Sequence, residues 1–140
     1  MLTMQVERID HVHIKCSDLE ESTERMENFT GTTFMRGIDY TADHGMEATY
    51  GPFPCGLEML HVTDDSKSMG AIYAKAPEGV FALSYKVTDM TAAITDMEAL
   101  GHKLLLKYEF GPIREALFDT KDSLGVYIEL IDYGDAAAGE

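Results

Sequence analysis

The chain repeats itself at about half its length, and this limits its possible folds more than any other feature. "SDLEESTERMENFTG", from Ser17, runs alongside "TDMTAAITDMEALG", from Thr88. "GTTFMRGIDY" runs alongside "GHKLLLKYEF", "GMEATYG" alongside "IREALFD", and "GLEML" alongside "YIEL". The offset is 71 residues from Asp18 to Asp89, 70 from Gly31 to Gly101, 68 from Ala48 to Ala116 and 71 from Glu58 to Glu129. Slips this small belong in loops, so one structural unit is used twice.

Periodicity gives the unit its content. In "VFALSYKV" the residues Phe81, Leu83, Tyr85 and Val87 share one face of a strand. Thr88 or Asp89 can cap a helix that carries Met90, Ile94, Met97 and Leu100 at helical spacing and stops at Gly101. Strands follow over about residues 102–110, 114–119 and 125–131. In the first half "IDHVHIKC" is the strand, and a helix runs from about Leu19 to Phe29 with Leu19, Met26 and Phe29 facing the sheet. The fold class is therefore α+β: two tandem βαβββ modules, about residues 6–63 and 78–133, in one domain over residues 1–140. A small polar tail, residues 134–140, is expected to fray.

Each sheet has one apolar face under its helix, and the opposite faces are expected to close into a cup. Strand side chains alternate, so Val12, Ile14 and Cys16 take the helix side and His11 and His13 look into the cup. Lys86 shares parity with Ala82 and Ser84. It either looks into the cup, to meet an anionic substrate, or sits at the rim with its charge in water. Tyr50, Phe53, Tyr108, Phe110 and Tyr127 line an apolar pocket or fill the core. His61 is read as a surface residue and His44 and His102 as solvated.

Composition removes several function classes. A formal net charge of −14 argues against nucleic acid and anionic membrane surfaces as partners. No apolar run approaches the ~20 residues of a membrane span. The first residues lack the charged-then-apolar signal pattern, so a cytoplasmic location is expected. Two cysteines, Cys16 and Cys55, make neither a disulfide framework nor a zinc knuckle. Phosphate loops and nucleophile elbows are missing from the sequence.

The opening "IDHVHIKCSDLEES", the closing "GVYIELIDY" and the repeat between them resemble the vicinal oxygen chelate superfamily over about residues 6–133. That superfamily includes glyoxalase I, methylmalonyl-CoA epimerase, extradiol dioxygenases and bleomycin-binding proteins. The resemblance implies a divalent metal (Zn, Fe, Mn, Co or Ni) in the cup, with His11, Glu58 and Glu129 as ligands. The fourth ligand position falls on Ala82, which cannot bind an ion. Imidazole and carboxylate donors together suit such metals.

Glu47, in "HGMEATYG", resembles the segment that holds a proposed catalytic carboxylate in methylmalonyl-CoA epimerases; otherwise it is an edge-strand glutamate in water, matched in the repeat by Glu115. His13 supports a ligand, replaces the missing one, or moves a proton. The implied activity is that of an isomerase, epimerase or lyase moving a proton beside a carbonyl of a small oxygenated substrate. An extradiol-type dioxygenase and a metal-free small-molecule-binding protein are the alternatives. The resemblance also implies a homodimer.

Overall fold

The computed structural model describes residues 4–134; from residue 135 on, the expected tail lies outside the described residues. In chain order the elements are β1 (Val6–Lys15), α1 (Leu19–Thr30), β2 (Met35–Asp39), α2 (Thr41–His44), β3 (Met46–Gly51), β4 (Leu57–Val62), α3 (Ser68–Ala74), β5 (Gly79–Val87), α4 (Met90–Ala99), β6 (Lys103–Phe110), β7 (Ile113–Asp119), α5 (Lys121–Leu124) and β8 (Tyr127–Asp132). The α+β architecture of two βαβββ repeats is present. Single-turn α2 and α5 and the connecting helix α3 are added to it. Two compact units divide the chain: His11–Phe81, and the residues up to Asp10 together with those from Ala82. Strand β1 contributes to both.

The first unit orders its strands β2-β3-β4-β1. β1 and β4 run parallel, while β2, β3 and β4 pair antiparallel. Helix α1 starts where the Asp18 carboxylate accepts the Glu21 N–H at 3.0 Å, satisfying an otherwise orphaned donor. It stops at Gly31, whose φ of 72° returns its N–H to Glu27. Leu19 and Met26 pack on Cys16, Phe34 and Met59. The buried Thr23 hydroxyl meets Thr49 of β3 at 2.7 Å. Phe29, expected on the same stripe, is instead 86% exposed. At 100° per residue it lies about 70° off the Leu19–Met26 line, and the helix turns it into solvent.

The second unit repeats the plan, with order β5-β8-β7-β6 and a parallel β5–β8 pair. Asp89 caps α4 by accepting the Ala92 N–H at 3.1 Å. Met90, Ala93 and Met97 of α4 pack with Val87, Ala116, Phe118, Ile128 and Leu130, and Leu83 and Tyr85 adjoin them. Leu100, expected on this stripe, is instead the C-cap of the helix and is 52% exposed. Among the described residues no helix is long and apolar enough to cross a membrane.

Helix α3 is anchored by close backbone approach. The Asp64 carbonyl lies 2.1 Å from where a Cβ would stand on either Gly45 or Gly70. Replacing a helical glycine by alanine ordinarily gains about 0.5–1 kcal/mol. At Gly70 the clash reverses the sign. Gly70→Ala is expected to lower stability by roughly 1–3 kcal/mol, read from the urea midpoint.

Candidate active site

Register places the candidate groups of the first unit in a row. The β1–β4 pairing sets His13 opposite Glu58, and the β3–β4 pairing sets Tyr50 opposite Glu58. Residues directly paired across strands share a face, so His13, Glu58 and Tyr50 line up across three strands. His11 joins them from two residues upstream. His11 and His13 are 4% and 1% exposed, which commits both imidazoles to protein partners. Their Nε2 atoms are 2.9 Å apart, and the rings stack with centroids 4.8 Å apart and 13° between planes. His13 Nε2 also lies 3.5 Å from Glu58 Oε1, while its Nδ1 lies 2.5 Å from the Tyr73 hydroxyl. Tyr50 meets His11 edge-on at 5.6 Å.

The second unit carries a matching arrangement with different chemistry. Ser84 pairs with Glu129, and Ala82 with Tyr127. Glu129 is 1% exposed. One carboxylate oxygen accepts from Ser84 Oγ at 2.8 Å and the other from Tyr108 Oη at 2.6 Å. An offset of 71 residues maps His11 onto Ala82, His13 onto Ser84 and Glu58 onto Glu129. Each unit thus sets a residue of its first strand against a carboxylate of its last, an imidazole in one and a hydroxyl in the other. The Lys86 ammonium lies 3.2 Å from Glu7 and 5.6 Å from the centre of the Tyr133 ring. An anionic substrate would have to compete with Glu7 for it.

The fold, with its duplicated βαβββ plan, is similar to that of solved structures. A methylmalonyl-CoA epimerase in complex with methylmalonyl-CoA and NH4+ superimposes with a TM-score of 0.74 at 24% identity, covering 94% of this chain and 97% of that one. The Mycobacterium tuberculosis methylmalonyl-CoA epimerase gives a TM-score of 0.77 at 22% identity, covering 100% and 97%. A hypothetical protein from Bacillus halodurans gives 0.74 at 13% identity, covering 89% and 93%. The fold is the vicinal oxygen chelate fold. No protein-family model matches the sequence, and no curated protein matches it.

Within this fold the remaining candidates fall in different places. Glu47 pairs with His61 and Asp39 and shares the strand face of Thr49, the side where Thr49 meets α1. It lines a cleft of about 280 Å³ with Glu20, Arg36 and Asp39. The uninterrupted β3–β4 register therefore turns Glu47 away from the face of Tyr50 and Glu58. Phe53 sits in the turn between β3 and β4 and is 53% exposed. His61 Nδ1 lies 3.1 Å from the Cys16 carbonyl, a structural contact. Burial pushes the Cys16 thiol above its usual range, so it is protonated at neutral pH and offers no thiolate nucleophile.

Two contacts escaped the sequence reading. Ser84 was detectable, since it shares the face of Ala82 and lies at the repeat offset from His13. Tyr73 gave no signal, because α3 lies between the two repeats. Since Ser84 and Tyr108 hold a buried carboxyl, Tyr108→Phe is expected to destabilise the fold by about 1–3 kcal/mol in urea unfolding. Ser84→Ala is expected to act in the same direction.

Proposed function

We propose that the protein is a divalent-metal-dependent epimerase or isomerase that moves a proton beside the carbonyl of a small oxygenated substrate. The observation that carries this reading is the buried His11–His13 pair with Glu58 beside it. His11 Nε2 and Glu58 Oε1 lie 2.9 Å and 3.5 Å from His13 Nε2, which supports two ligand groups gathered about one base. Mixed imidazole and carboxylate donors suit zinc, iron, manganese, cobalt or nickel.

In this reading His11 and Glu58 hold the ion. Glu129, the third ligand that the resemblance implies, belongs to the other unit. The bound ion would polarise a substrate carbonyl and make the neighbouring C–H acidic. His13 takes and returns the proton, since imidazole exchanges protons near neutrality. Tyr50, beside His11, and Tyr127, on the Glu129 face, contact the substrate. Lys86 binds an anionic group of the substrate once Glu7 releases it. A homodimer belongs to the same reading, and sedimentation measures it directly.

The fold's epimerase neighbours make methylmalonyl-CoA the first probe. A short N-acetylcysteamine thioester of the same acid is the second, because the chain's net charge of −14 disfavours polyanions. Proton exchange is followed in D2O by loss of the α-proton signal, with metal content measured by elemental analysis. The expected result is near-stoichiometric metal, reduced in Glu58→Gln and Glu129→Gln, and exchange that stops on chelation. His13→Ala is expected to slow exchange by about 10²–10⁴-fold. Glu47→Gln, altered on the far strand face, is expected to remain near wild type.

The buried Ala82, at the position where the resemblance expects a ligand, favours a second reading: a metal-free protein that binds a small molecule. Wild-type protein that stays empty after metal is supplied, with no exchange on either probe, would replace the first reading with this one. Iron with cleavage of a catechol would instead mark the dioxygenase.

A further inference from the structure

His13 is the hub of the first unit's polar row, and what holds its ring comes from outside both repeats. Tyr73 lies on α3, is 0% exposed and places its hydroxyl 2.5 Å from His13 Nδ1. Its ring stacks on Phe81 with centroids 3.7 Å apart and 19° between planes, and it lies 19° from the plane of His13. The hydroxyl therefore has little freedom to leave Nδ1.

We infer that Tyr73 is a positioning residue that locks the His13 ring through Nδ1 and leaves Nε2 as the working nitrogen towards His11 and Glu58. The inference deepens the proposed role of His13 and rests on that reading for its functional meaning. The chemistry of a hydroxyl suits this task better than that of a carboxylate, which only accepts when ionised. A hydroxyl both donates and accepts, so it can hold either neutral tautomer. In the metal-free protein Nε2 faces the Glu58 carboxylate and the other imidazole. The ring proton sits on Nε2, and Tyr73 donates to Nδ1. When Nε2 instead turns its lone pair to a substrate C–H, as a base must, the ring proton sits on Nδ1 and is donated to Tyr73 Oη. The ring carries one proton in both states, and the same contact keeps its orientation.

The test is the two-bond 1H–15N spectrum of the histidine rings in the metal-free protein, with His13 assigned from a His13→Gln variant. Wild type is expected to show His13 as a single tautomer with its proton on Nε2. Tyr73→Phe keeps the ring stack and removes only the hydroxyl, and it is expected to give averaged nitrogen signals for His13. Phe81→Leu, which spares the hydroxyl, is expected to keep the single tautomer. An averaged His13 in wild type, or an unchanged pattern in Tyr73→Phe, overturns the inference. The wild-type spectrum decides even if Tyr73→Phe fails to fold. Wild type that binds no metal would sink the proposed function, while the tautomer result would still judge Tyr73.

Discussion

The parallel pairing of first and last strand within each unit is the constraint on which the polar residues depend. In a strand, one residue of slip sends every side chain to the other face. His13 meets Glu58, and Ser84 meets Glu129, only in the observed registers. Those registers are fixed by the opposite, apolar faces. Cys16, Met59 and Phe34 are packed under α1, and Ile128, Leu130 and Phe118 under α4. The hydrophobic faces hold the strands in place, and the polar groups keep the positions this gives them. Burying apolar area stabilises each sheet without regard to direction, so it can supply this anchoring while the chemistry on the other face varies.

Such variation is what the repeat shows. Burying a polar or charged group is costly unless partners meet it. The second unit meets the cost with hydroxyls, since Ser84 and Tyr108 each donate to one oxygen of Glu129. The first unit uses an imidazole that touches another imidazole, a carboxylate and a phenol. Hydroxyl donors hold both oxygens of Glu129. An imidazole can gain or lose a proton or give a lone pair to an ion. The duplicated scaffold thus meets its carboxylate with hydroxyls in one copy and with an imidazole in the other.

Much of the fold was legible because each of its devices is local. Asp18 and Asp89 cap helices, Gly31 ends one, and strand alternation sorts His11 and His13 from Val12 and Ile14. Phe29 was misplaced because it lies well off the line of Leu19 and Met26, and Leu100 because the helix has already ended there. Glu47 shows a different limit. Its motif resembles that of a catalytic segment, yet its face follows from the β3–β4 register, which no local pattern states. Tyr73 was hidden because α3 is short, has a glycine in its first half and lacks a side-chain cap at Lys67. Nothing in its seven residues announces a helix, still less one that reaches β1.

Gly45 and Gly70 let the Asp64 carbonyl sit where two methyl groups would otherwise be. Seen from the imidazole, these glycines are remote: they touch neither ring nor carboxylate. Yet α3 carries Tyr73, and its seating on the sheet is set by how closely three stretches of backbone can nest. Mutational tolerance should therefore be uneven in a way that distance from the polar row does not forecast. Larger residues at these two positions would move the phenol away from its histidine while every group in the row remained chemically intact.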